Sequence, residues 1–312
     1  MVDSKNGIIG LAIGDAMGVP LEFCKREDLI KNPTTTMKGY GSHDVPKGSW
    51  SDDTSMTIAT IDAIIADKGI NCNTIAQNFL NWLDNDQYTA TGTAFDVGRT
   101  CLQALIKFSS AQENAQNCGI ASEYANGNGS LMRILPIAYY CKSRNMNEKN
   151  IYEIVKNVSS ITHKHEISIL GCFIYVMYAI ELLSNKSLLQ SYEKIKEIDY
   201  TKYFSEETID KYSRILKNNI FKYNLEEISS SGYVINTLEA VFWVLLNTNS
   251  YNEAIVGAIN LGDDTDTVGA CLGGLAGIYY GLESISKKWK NDLLKYDYIA
   301  DLCDKFNKIL NS

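Results

Sequence analysis

Residues 259–274 read I-N-L-G-D-D-T-D-T-V-G-A-C-L-G-G. Three carboxylates (Asp263, Asp264, Asp266) and two hydroxyls (Thr265, Thr267) fall within five residues, ahead of a small, apolar run. Carboxylates this close repel one another, and a hard divalent cation held by oxygen ligands removes that penalty. A second cluster of the same chemistry, Ser51-Asp52-Asp53-Thr54, follows Trp50. Two acidic helix starts can share two divalent cations, and paired cations orient a substrate and activate a water. Each cluster also has a plainer reading as a helix cap, since Ser and Asp satisfy the free N–H groups of a first turn and suit the positive end of the helix dipole. The oxygens at 263–267 exceed what a cap needs.

Two other D-x-D chemistries fit less well. An EF-hand loop counted from Asp264 requires an acidic residue at its twelfth position, which is Leu275. A haloacid dehalogenase phosphatase places its D-x-D-x-T after an apolar strand near the start of the fold, whereas this cluster follows Asn260-Leu261-Gly262 near the end of the chain. His163 and His165 stand two apart, with no cysteine or acid at zinc spacing beside them. From chemistry alone, His163 reads equally as a loop residue contacting substrate and as an exposed one, and His43 reads as exposed in a polar loop. Asn126-Gly127-Asn128-Gly129 is either a turn or a loop whose backbone N–H groups, at a helix start, suit phosphate.

The elements that must position these groups read as helices. Residues 7–18 are small and apolar, with Asp15 the only charge, and Val19-Pro20 ends the helix just before Glu22. Residues 24–50 read as a surface loop returning to Trp50. A helical face of Met56, Ile58, Ile61, Ile64 and Ile65 follows the first cluster. Further helices are expected at 73–84, 93–108, from Ser130 with Pro136 as a kink, 148–160, 166–184, 232–248, 252–260 and 291–310. Gly269, Gly273, Gly274 and Gly277 let the helix after the second cluster approach a neighbour closely. No alternating strand pattern, repeat or linker is visible, so the expectation is an all-α fold, with residues 1–312 as one domain.

Composition narrows the function classes. Hydrophobic content of 45% and charged content of 21% are those of a globular protein. A net charge of −8 argues against nonspecific nucleic-acid binding. The eight cysteines form no C-x-x-C pair and read as buried free thiols of a reducing cytoplasm. No signal-peptide pattern is visible at the N-terminus. The longest apolar run, 167–180, is too short to span a bilayer, so no membrane partner is expected. The sequence does not set the oligomeric state, with a monomer slightly favoured.

Five segments, in order, resemble the ADP-ribosylglycohydrolase family, which contains dinitrogenase reductase-activating glycohydrolase and the ADP-ribosylhydrolases. They are Gly14-Asp15-Ala16-Met17-Gly18 through Glu22, Trp50-Ser51-Asp52-Asp53-Thr54-Ser55-Met56, Gly127-Asn128-Gly129-Ser130-Leu131-Met132-Arg133, Thr162-His163 and Gly262-Asp263-Asp264-Thr265-Asp266-Thr267. The resemblance implies an all-α fold with two Mg²⁺ (Mn²⁺ substituting in some members). It implies hydrolysis of the glycosidic bond joining ADP-ribose to an acceptor, here an ADP-ribosylated protein or ADP-ribose conjugate. Carried over residue by residue, Ser51, Asp52, Asp53, Asp264, Asp266 and Thr267 would hold metal. Glu22 would be a metal ligand or catalytic base, and with Asp53 and Asp264 would form the catalytic set. Gly127, Asn128, Gly129 and His163 would line the ADP-ribose pocket. Ser51 stands where many members have Thr, and Asp263 stands where glycine or another small residue is usual, which leaves Asp263 in a supporting role. Phe95-Asp96-Val97-Gly98 resembles a segment of the arginine-directed bacterial branch, where a carboxylate can take a guanidinium in a bidentate way. The plain alternative is that Asp96 caps a helix starting near Val97. Other readings are hydrolysis of O-linked ADP-ribose or small conjugates, and an inactive, crystallin-like binding protein.

Overall fold

The computed structural model describes residues 2–111 and 113–312, and among them every regular element is a helix. In chain order, α1 is Lys5–Gly18, α2 Arg26–Lys31, α3 Asp52–Asp67, α4 Cys72–Asn85 and α5 Arg99–Ala111. Next come α6 Leu135–Ser143, α7 Glu148–Ser159, α8 Glu166–Leu182, α9 Leu188–Lys196, α10 Glu206–Lys211 and α11 Ser213–Leu216. The last five are α12 Val234–Leu246, α13 Tyr251–Ile259, α14 Thr265–Tyr280, α15 Lys287–Asp292 and α16 Tyr296–Leu310. None of the described helices is long and apolar enough to cross a membrane.

The centre of the molecule is the pair α1 and α14. Neither has a polar face, and nearly every residue of both is buried. Their axes are brought together by glycine. A Cβ on Gly14 would lie 1.9 Å from the carbonyl oxygen of Gly269, and one on Gly10 would lie 2.4 Å from that of Gly273. Both distances are far inside van der Waals contact, so the two backbones touch where any side chain would hold them apart. The other helices pack around this pair on one continuous apolar core.

Several expected boundaries move. Pro136 sits in the first turn of α6 rather than mid-helix, where its missing N–H costs nothing and its fixed φ helps. The preceding stretch is a turn tied to distant backbone, with Asn128 N–H donating to Gly232 O and Val234 N–H to Asn126 O. The expected helix over 93–108 begins only at Arg99. The expected 291–310 helix is two, α15 and α16, separated by Leu293–Lys295, where Lys295 takes a left-handed φ of 52°. The eight cysteines are free thiols, six of them buried.

Candidate active site

The two acidic clusters meet. The hydroxyl Oγ1 of Thr267 donates to Asp53 Oδ2 at 3.3 Å, joining the start of α14 to the start of α3 across 214 residues. Ser51 caps α3 by accepting from the N–H of Asp53, and its Oγ also lies 3.1 Å from Asp53 Oδ2. Asp264 precedes α14 in the cap position, yet its side chain makes no capping bond. The plain reading of that carboxylate as a helix cap therefore fails. Its Oδ2 instead accepts from Asn128 Nδ2 at 2.9 Å, and Asn128 Nδ2 also bonds Thr237 Oγ1.

Asp15, read from the sequence only as the single charge of its helix and part of a family-like segment, is the organising residue of the first cluster. It is fully buried on α1, and its two oxygens accept from Ser51 N–H, Thr54 N–H, Ser51 Oγ and Thr54 Oγ1, the last at 2.6 Å. One carboxylate thus fixes the first turn of α3. Burial pushes its pKa up to about 7 against the pull of those donors. The signal for it was present: a lone carboxylate in a helix with no exposed face must have partners inside.

Glu22 reaches the same place by a different route. Phe23 and Asp263 both take left-handed backbone conformations (φ 63° and 58°). Phe23 N–H donates to Asp263 O at 2.7 Å, and Asp263 N–H to Cys24 O at 3.0 Å. These bonds zip the residue after Glu22 to the residue before Asp264. Asp263 serves through its backbone alone. Its side chain is exposed, so it neither ligates nor supports a ligand, and a tolerance for left-handed φ is what its position requires.

Glu22, Asp264 and Asp266 each offer an oxygen, and these atoms lie within 4.8 Å of one another. Three buried carboxylate oxygens, Asp53 Oδ1, Asp264 Oδ1 and Asp266 Oδ2, have no hydrogen-bond partner. Burial raises the pKa values of Asp52, Asp53 and Asp266 well above the ordinary carboxylate value, with like charges adding to it. Glu22 is pushed up to about 9 by burial first, then by Asp96 and Asp264. Unpartnered, desolvated, all-oxygen donors at this density fit hard divalent cations.

Above this floor lies a cavity of about 360 Å³ lined by Glu22, Asp52, Asp264 and Thr267 on one side and by Asp96, Asn128, Gly129 and His163 on others. Gly127 lines it as well. Ser51, Asp53 and Asp266 sit beneath its surface. His163 is buried, and burial together with the Arg133 guanidinium lowers its pKa to about 3, so the ring is neutral. His165 instead caps α8, accepting from Ile167 N–H. Of Asn126-Gly127-Asn128-Gly129, the last three line the cavity, but they do not stand at a helix start, since α6 begins at Leu135, so a helix dipole supplies no attraction for phosphate there. Asp96 does not cap α5, which starts three residues later; it takes a left-handed φ of 57° and faces His43.

His43 corrects its expected exposure. It is mostly buried, with Nε2 2.5 Å from Glu22 Oε2 and 3.8 Å from Asp96 Oδ2. Phe95 packs against its ring at 5.2 Å between centroids. Gly232 is a further residue that no local pattern marked: a Cβ there would lie 2.8 Å from Asp264 Oδ2.

An all-helical fold thus holds an acidic floor with three unpartnered carboxylate oxygens beneath a polar cavity. The chain belongs to the ADP-ribosylglycohydrolase family, whose model matches residues 4–311. It is 31% identical over 305 residues to the ADP-ribosylarginine hydrolase Tri1 of Serratia proteamaculans, covering 97% of this chain and 78% of that one. It is 24% identical over 287 residues to the ADP-ribosyl-[dinitrogen reductase] glycohydrolase of Rhodospirillum rubrum, covering 91% and 88%. A solved structure titled ADP-ribosylglycohydrolase-related protein complex shares the fold with a TM-score of 0.82 at 24% identity, over 99% of this chain and 98% of that one. The protein is an ADP-ribosylglycohydrolase, a hydrolase of glycosidic bonds.

Proposed function

We propose that the chain removes ADP-ribose from arginine side chains of modified proteins, using two divalent cations, Mg²⁺ or Mn²⁺. The observation that carries the reading is the meeting of Ser51-Asp52-Asp53 with Asp264-Asp266-Thr267, leaving three unpartnered buried oxygens. Those six residues would hold the cations, with Glu22 beside them. Bound there, the cations supply positive charge that orients ribose hydroxyls and makes a water a better nucleophile.

The rest is the work of this chain's own groups. Asp15 and Asn128 hold the ligand-bearing turns, so the site is rigid before substrate arrives. Gly127, Gly129 and His163 form the wall along which the ADP-ribose lies. The glycosidic bond between C1 of the ribose and the guanidine nitrogen breaks, water adds to C1, and a proton passes to the departing nitrogen. Glu22 carries a carboxyl oxygen at the cavity, held by His43, and is the group placed to exchange that proton. Asp96, on the same side, accepts from the guanidinium through both oxygens. The name of the Serratia relative, an ADP-ribosylarginine hydrolase, supports the arginine linkage. The eight free thiols support a reducing compartment such as the cytoplasm.

The test is release of ADP-ribose from an arginine-ADP-ribosylated protein, with Mg²⁺ or Mn²⁺ and with EDTA. Release with metal and none with EDTA is expected. Release unaffected by EDTA would overturn the metal assignment, and cleavage of serine-linked but not arginine-linked ADP-ribose would overturn the acceptor.

A further inference from the structure

Arg133 is fully buried and has no carboxylate partner among the described residues. Its guanidinium lies over the Phe79 ring at 4.6 Å. Nη2 donates to Thr162 Oγ1 at 2.8 Å, Nη1 and Nη2 reach Val158 O at 3.4 Å, and Nε is unpartnered. Thr162 Oγ1 in turn lies 2.9 Å from His163 Nδ1. The chain of contacts runs from a buried cation, through one hydroxyl, to the ring that lines the cavity.

Hydrogen counting fixes its direction. Guanidinium is a donor only, so Thr162 Oγ1 accepts from Arg133. The Thr162 hydroxyl carries one hydrogen. Its available acceptors are His163 Nδ1 and the thiol of Cys101, and sulfur is the weaker acceptor. If Nδ1 carried the proton instead, Thr162 Oγ1 would receive two donors and lose its best acceptor. The other ring nitrogen, Nε2, faces the GNG turn: a Cβ on Gly127 would lie 3.7 Å from it, and one on Gly129 would lie 3.6 Å from it. No protein group among the described residues bonds Nε2. The backbone that carries the ring is fixed, because His163 N–H donates to Ser159 O at 2.8 Å and Ser159 Oγ donates to His163 O at 2.9 Å, and the ring itself is buried.

We propose that Arg133 and Thr162 are positioning residues that lock His163 as the tautomer with Nε2–H pointing into the cavity. The histidine is then a fixed hydrogen-bond donor, and the ligand atom opposite it is an acceptor oxygen of a phosphate or a sugar. The tautomer rests on geometry alone, while the ligand clause rests on the ADP-ribosyl reading of the cavity. The two glycines belong to the same device, since a side chain at either would come up against the ring edge that the ligand must reach.

The test uses the full chain without ligand. A long-range proton–nitrogen NMR spectrum resolves protonated from bare ring nitrogens, and His163→Gln assigns the signal among the three histidines. At neutral pH the expected signature is a protonated Nε2 and a bare Nδ1. Thr162→Ser should keep it, and Thr162→Val should lose it. Calorimetry with free ADP-ribose should show Thr162→Val weakened by about fivefold to tenfold and Thr162→Ser within about twofold, the scale of one lost hydrogen bond. A wild-type ring protonated at Nδ1, or on both nitrogens, overturns the proposal, and that reading needs no variant to fold. An unchanged signature in Thr162→Val overturns the role of Thr162. A wild type with the expected signature that binds no ADP-ribose overturns the ligand clause and leaves the tautomer intact.

Discussion

Asp15 makes no contact with the cavity, yet it decides where the first cluster points. Removing it leaves the N–H groups of Ser51 and Thr54 without acceptors inside the protein. Asp15→Ala should cost about 2 to 4 kcal/mol of stability and reduce turnover by about ten- to a hundredfold, through weaker Mg²⁺ binding that excess metal partly restores. Thermal unfolding and a metal titration of turnover check this, and a variant with wild-type metal dependence would remove Asp15 from its assigned place. The role proposed for Asp96 is on the acceptor side. Asp96→Ala should lower kcat/KM on arginine-linked ADP-ribose by about tenfold or more while sparing O-linked substrates. Equal losses on both would refute the guanidinium role. At this scale the sequence was most informative where oxygens crowd together. It misread His43 as exposed, because the Phe95 and Glu22 neighbours that cover it come from distant parts of the chain. It also suggested a supporting role for the Asp263 side chain, because a left-handed backbone position leaves no local pattern in one sequence.

Elements are set by what they touch as much as by their own composition. The helices α1, α3 and α14 were legible because apolar, small and capping residues fall in unbroken local patterns. The start of α6 was not. The stretch 130–134 reads as helix on propensity, but the backbone just before it is drawn off to Gly232 and Tyr233 in the turn before α12. That long-range pairing is also what lets Asn128 reach Asp264. The close pairing of α1 and α14 makes a sharper forecast. Gly14→Ala places a methyl against the Gly269 carbonyl, and no flexible side chain stands there to yield. The variant should lose about 2 to 3 kcal/mol or more by overpacking, although alanine is the better helix former. Chemical denaturation reads the loss, and a stability equal to wild type would mean that the two backbones can move apart at no cost.

Across the whole molecule, the buried carboxylates tie stability to pH and, through the proposed cation site, to metal. Asp15 and Glu22 are raised to about 7 and about 9, and Asp52, Asp53 and Asp266 well above normal, in each case by burial first. Unfolded carboxyls release their protons near about pH 4. Between that value and the raised ones the folded state holds more protons than the unfolded state, so stability falls as pH rises. With EDTA, the melting temperature should therefore drop steadily from about pH 5 to about pH 9. At the proposed cation site Mg²⁺ would compete with those protons, so its stabilisation should be larger at about pH 8 than at about pH 6. A melting temperature with no pH trend in EDTA would contradict the burial of ionisable groups described for the floor.

The pairing of α1 with α14 also bears on how the chain is made. Roughly 250 residues separate Gly18 from Thr265, and at synthesis rates of about 5 to 20 residues per second the interval is on the order of ten to fifty seconds. Throughout it, a helix with no polar face has left the ribosome without its partner. A nascent chain in that condition is a client for chaperones, and every product of premature termination before α14 lacks half of the acidic floor. Activity thus arrives only once α14 has been made, and a product that stops before it is not a partly functional intermediate.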